Sequence, residues 1–120
     1  MKAILIDVIN ENVRMVEVDD KDILHSWYKH LGCQCVDHVD ISSHDSIMVD
    51  DNGLLTMDWK SKFFSYMGSV YCGNGLVVGV NYRNGNSVDP CISVEELRTR
   101  IKFHSRVSVQ LMSMRGEINN

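Results

Sequence analysis

The segment Val49-Asp50-Asp51-Asn52-Gly53-Leu54-Leu55 constrains the fold more than any other part of this chain. Asn-Gly between apolar runs favours positive φ at consecutive positions, which reverses an extended chain within two residues and pairs its flanks as antiparallel neighbours. Arg83-Asn84-Gly85-Asn86 repeats that chemistry between Gly75-Leu76-Val77-Val78-Gly79-Val80 and the run Ser87 to Ile92. Two type I′ turns predict a largely antiparallel sheet. The glycines and asparagines mark bends in the chain and not a reactive centre.

The rest of the pattern fits around those turns. Lys2 to Val8 and Val13 to Val18 are rich in β-branched residues and flank the polar break Asn10-Glu11-Asn12, a hairpin signal. Asp19 and Asp20 offer a helix N-cap, and Ile23, Leu24, Trp27, Tyr28 and Leu31 recur at helical spacing until Gly32. Cys33 to Ser42, Ser46 to Asp50 and Leu54 to Asp58 read as further strands. Trp59 to Tyr71 is the least regular stretch, with Phe63, Phe64, Tyr66, Met67 and Tyr71 crowded together, half core and half exposed. Ser93-Val94-Glu95-Glu96 is a capping box that opens a helix. Val107, Val109 and Leu111 alternate as a last strand. The expectation is a single α+β domain over residues 1–115, a mostly antiparallel sheet with two helices near 21–31 and 94–104, and a flexible tail at 116–120.

A chain of 120 residues that is 44% hydrophobic can close a core without disulfides or metal. The apolar run Ala3-Ile4-Leu5-Ile6 is too short for a signal peptide or a membrane span and stops at Asp7, so a cytoplasmic protein is expected. Cys33, Cys35, Cys72 and Cys91 then read as reduced thiols. Charge is unevenly spread: through Lys60 there are 12 acidic and 5 basic residues (net −7), and from Ser61 onward 4 acidic and 7 basic (net +3). An isoelectric point near 5.6 argues against broad phosphate-backbone binding, and so against direct nucleic-acid binding. Arg98, Arg100, Lys102, Arg106 and Arg115 form a modest anion-attracting run whose plainer reading is a solvated face.

No spacing names an activity. Cys33, Cys35, Asp37, His38, His44 and Asp45 have zinc-ligand chemistry, but alternation along a strand turns His38 away from Cys33, Cys35 and Asp37, so no metal site is expected. Asp45, Asp50, Asp51 and Asp58 would suit Mg²⁺ in a small hydrolase, yet Asp51 is also what an Asn-Gly turn favours. Gly73, Gly75 and Gly79 lack dinucleotide-binding spacing and run into a strand, so positive φ or close backbone approach explains Gly73 and Gly75. No nucleophile, base or cofactor motif emerges, and no catalytic residue is assigned.

Four features occur in a fixed order: Lys2-Ala3-Ile4-Leu5-Ile6-Asp7, the Val49 to Leu55 turn, Gly73-Asn74-Gly75-Leu76-Val77-Val78-Gly79, and Asp89-Pro90 leading into Ser93-Val94-Glu95-Glu96-Leu97-Arg98. Together they resemble the domain of unknown function 3846, small proteins carried by phages, plasmids and other mobile elements, over roughly Met1 to Ile101. The resemblance brings no catalytic residues. It implies an accessory role, and the expected function is a noncatalytic binding protein that blocks a bacterial defence component. The partner is then a host protein, and the candidate surface is Asp45, Asp50 and Asp51 with Trp59, Phe63, Phe64 and Tyr66, aromatic anchors beside charge. The alternative is a nucleotide-sequestering protein using Tyr71, Gly73, Gly75, Arg98 and Arg100, as a homodimer enclosing the ligand. A metal-dependent hydrolase built on Asp45, Asp50 and Asp51 is a third class.

Overall fold

Ala3 to Ile6 and Leu76 to Val78 are buried without a break, which marks strands covered on both faces. The computed structural model describes residues 1–19, 21–33, 36–51, 60–81 and 83–116. Their elements run β1 (Lys2–Asp7), β2 (Asn12–Glu17), α1 (Ile23–Leu31), β3 (Val36–Asp40), β4 (Asp45–Asp50), β5 (Lys62–Tyr66), β6 (Ser69–Cys72), β7 (Gly75–Asn81), β8 (Asn86–Val88), α2 (Val94–Arg100), β9 (Ile101–Ser105) and α3 (Arg106–Met114). The larger sheet has the order β2-β1-β7-β4-β3, with β8 pairing the far half of β7. A second sheet has the order β6-β5-β9. All pairings among the described residues are antiparallel. No helix among them is long and apolar enough to cross a membrane.

Alternation divides the interior into two cores. Ala3, Leu5, Met48, Leu76 and Val78 pack with Leu31, Ile23 and Trp27 of α1. Ile4, Ile6, Ile47, Val49 and Val77 point the other way, against Phe64 and Tyr66 of β5, Leu97 of α2 and Ile101 of β9. The larger sheet therefore lies between one helix and the smaller sheet with α2. Gly75 lets the two sheets approach, since a Cβ there would stand 2.7 Å from the Phe64 ring and 3.1 Å from Ile47. Gly73, at φ +86°, supplies the left-handed turn that precedes it. Both expected roles of these glycines are realised.

Carboxylates fasten the ends. Asp7 closes the first hairpin, its Oδ1 accepting from the Ile9 and Asn10 backbone N–H groups and its Oδ2 from Arg14 Nη1. Asp45 accepts from the Cys91 and Ile92 N–H groups at 2.8 Å each, which sets the approach to α2. Arg98 reaches back from α2 to the Val13 carbonyl.

Several expectations need correction. There are three helices among the described residues, not two. The second ends at Arg100, because Ile101 to Ser105 is extended and pairs with Tyr66 to Lys62. The expected last strand is helix α3, for which Ser105 Oγ accepts from the Ser108 N–H as N-cap. A strand continuing past Ser105 would outrun β5, whose ladder with β9 ends at the Lys62–Ser105 pair. Trp59 to Tyr71 contains a hairpin, β5–β6, whose two-residue turn is Met67-Gly68, with φ +50° and +89°. Arg83 to Asn86 is not a type I′ turn: Asn81 pairs with Asn86, Gly85 alone of Asn84 and Gly85 has positive φ, and its N–H returns to the Asn81 carbonyl. The first helix is capped by Asp22, one turn before His25 N–H, and not by Asp19. Half of the capping box forms, since Ser93 Oγ accepts from Glu96 N–H while the Glu96 carboxylate turns to Arg100. Asn52 to Leu55, the expected strand Leu54 to Asp58, Asp20, and the tail beyond Gly116 lie outside the described residues.

Candidate functional site

The aromatic and acidic surface expected from the sequence is largely interior. Phe63 and Phe64 are 0% exposed, Tyr66 is buried and Asp45 is 2% exposed. Phe64 and Tyr66 face the core between the sheets, while Asp45 already carries two backbone N–H groups. Asp50 and Asp51 line a 190 Å³ groove with Asp37, Val70 and Tyr71. Trp59 lies outside the described residues.

The alternative ligand set is dispersed as well. Tyr71 packs against Phe64 with ring centroids 5.2 Å apart and planes tilted by 33°, Gly75 is a packing position, Gly73 is a turn, and Arg98 holds the β2 backbone. Arg100 differs. Its Nη2 meets Glu96 at 2.7 Å and its Nη1 donates to the Tyr66 hydroxyl at 3.0 Å, and the residue also lines an open cleft.

That cleft, about 540 Å³, lies on the face of the smaller sheet that points away from the core. Register explains its chemistry. Phe64, Tyr66, Ile101 and Phe103 turn inward, so their neighbours Ser65, Lys102 and His104 share the outer face. Helix α3 lies along this face and contributes Ser108 and Met112, one turn apart. Met67 and Gly68 of the β5–β6 turn, with Thr99 and Arg100 at the end of α2, complete the lining.

Ser65 Oγ and His104 Nε2 share a 2.8 Å hydrogen bond. Burial, and then the neighbouring Lys102 ammonium, lower the His104 pKa below its ordinary value, so the imidazole is neutral at pH 7. Among the described residues no carboxylate lines the cleft, and none forms an ion pair with Lys102. Lys102, an Arg100 paired with Glu96, a neutral imidazole and the Ser108 hydroxyl thus converge on one concavity, where the Thr99 hydroxyl already donates to the Glu96 carbonyl and that of Ser65 is shared with His104. The arrangement attracts an anion and offers it hydrogen-bond donors.

Of these residues, sequence reading singled out only Arg100 as a ligand candidate. Ser65 and His104 are 39 positions apart and meet only through the β5–β9 register, which the expected long helix concealed. The available signal was the run of basic residues at alternate positions, Arg98, Arg100 and Lys102, continued by His104. Among the described residues, no group of three or more His, Cys, Asp or Glu side chains is arranged to hold a metal ion. Cys35 lies outside them, and no disulfide joins Cys33, Cys72 or Cys91 to one another.

No curated protein and no solved structure matches the chain. The sequence model of the domain of unknown function 3846 matches residues 1–102, and the chain belongs to that family.

Proposed function

We propose that this is a noncatalytic binding protein of a phage or mobile element whose ligand is a small phosphorylated molecule held in the cleft between the smaller sheet and α3. The convergence of Arg100, Lys102 and His104 on a cleft that no carboxylate of the described residues lines supports this reading. Cation-rich, hydroxyl-lined concavities recognise phosphate through charge-assisted hydrogen bonds, and the volume falls within the range of small-molecule pockets. Isothermal titration with ribose 5-phosphate and glucose 6-phosphate tests it. Binding is expected to weaken about tenfold in Lys102→Ala, about 1.4 kcal/mol. Absence of binding by any phosphorylated compound would remove the reading.

A second reading, inhibition of a host defence protein, draws support from a different surface. Val107, Leu111 and Met114 are exposed at helical spacing on α3 and form an apolar stripe outside both cores. Capture of one host protein that is lost in Leu111→Asp would favour it.

A further inference from the structure

We propose that the cleft is a mononucleotide site in which the thioether side chains of Met67 and Met112 hold the base while Arg100, Lys102 and His104 receive one phosphate. This rests on the phosphorylated-ligand reading above and specifies the rest of the ligand.

Met67 is the observation that carries it. The β5–β6 turn needs positive φ at both central residues, which Asn, Asp and Gly tolerate and a long side chain resists. Here Met takes the first position at φ +50°, followed by Gly68 at +89°. Met67 is also 77% exposed, so it does not contribute to either core. A residue that strains its turn and leaves its apolar surface in water is a local inconsistency of the kind found at binding sites. What Met67 does supply is an apolar wall of the cleft, with Met112 of α3 as a second one. Flexible, polarisable thioethers make favourable contacts with aromatic rings and adapt to their outline.

The polar residues limit the other end of the ligand. Arg100 already shares its charge with Glu96, so the uncompensated charge beside the cleft is that of Lys102, which suits one phosphate and not a triphosphate. Ser108 leaves a hydroxyl for a sugar or phosphate oxygen, beside the Ser65 hydroxyl that is shared with His104. An apolar wall, hydroxyls, a lysine without an ion pair among the described residues and an arginine already paired with Glu96 match the base, sugar and single phosphate of a nucleoside monophosphate.

The test is titration of the full chain with AMP, GMP, CMP and UMP, and with ribose 5-phosphate as the baseless probe. At least one mononucleotide is expected to bind ten times more tightly than ribose 5-phosphate, and that ratio is expected to collapse in Met67→Asn and in Met112→Ala. Met67→Asn suits the turn, so its thermal midpoint is expected to rise while nucleotide affinity falls, which separates lost binding from lost folding. If ribose 5-phosphate binds but no mononucleotide binds more tightly, or if the ratio survives both substitutions, the base site is wrong and the phosphate reading stands. If neither probe binds, both fall.

Discussion

Asp7 and Arg14 close the first hairpin on each other, Arg14 Nη1 lying 2.8 Å from Asp7 Oδ2 across β1 and β2. Asp7 is 5% exposed. Burial alone would raise its pKa, but the side-chain hydrogen bonds of Arg14 and Asn10, the Asn10 N–H and the Arg14 charge together lower it to about 2. The lowered value means that stability from this carboxylate is complete above the unfolded-state pKa near 4 and is lost as pH falls toward 2. The contribution is about 2 kcal/mol. Asp7→Asn is expected to lose roughly that amount at pH 7 and to flatten the stability curve between pH 4 and 2, measured by urea unfolding across that range.

Gly75 and Gly73 separate two reasons for glycine. Alanine at Gly75 places a methyl against the Phe64 ring and is expected to cost about 1–3 kcal/mol through overpacking. Alanine at Gly73 meets nothing within 4 Å and suffers only from its positive φ, roughly 1–2 kcal/mol. Phe64→Leu is expected to relieve the first and leave the second unchanged. A double-mutant cycle read by denaturant midpoints distinguishes them.

Asp45 is a buried tether. Asp45→Ala leaves the Cys91 and Ile92 N–H groups without their acceptor and is expected to cost about 2–3 kcal/mol, whereas Asp45→Asn keeps one acceptor and loses less. Hydrogen exchange at those two amides should rise in the same order.

His104 gives the cleft its own pH dependence. Its pKa is lowered in the folded state by burial and by Lys102, so the unfolded chain binds more protons as pH falls through about 6.5. Stability should therefore decline as pH drops below 6.5, and the decline should disappear in His104→Gln. An anion in the cleft offsets the Lys102 charge and favours the imidazolium, so ribose 5-phosphate is expected to reduce the decline. Thermal midpoints from pH 7.5 to 5.5, with and without that compound, measure both effects.

Residues with a single dominant preference were legible from the sequence. β1, β2, β4 and β7 follow their β-branched runs, and α1 follows the spacing of Ile23, Trp27 and Leu31 to its left-handed Gly32. Where two preferences competed, tertiary pairing decided. Glu95 to His104 has no breaker, yet Ile101 leaves the helix to pair with Tyr66. Val107, Val109 and Leu111 alternate like a strand, yet the β5 ladder ends at the Lys62–Ser105 pair and the Ser105 cap starts a helix. The hairpin at Met67-Gly68 was hidden because continuous burial of Phe63 to Tyr66 erases alternation and Met is an unusual turn residue. The cleft followed those misread elements, so its cations were visible and their convergence was not.

The cleft also straddles the limit of the family match. Arg100 and Lys102 lie within residues 1–102, whereas His104, Ser108 and Met112 follow them, and α3 adds no residue to either core. Substitutions in that last helix can therefore reshape the opposing wall while the double-sided sheet stays packed, so that the shape of the concavity and the capacity to fold are governed by separate sets of residues.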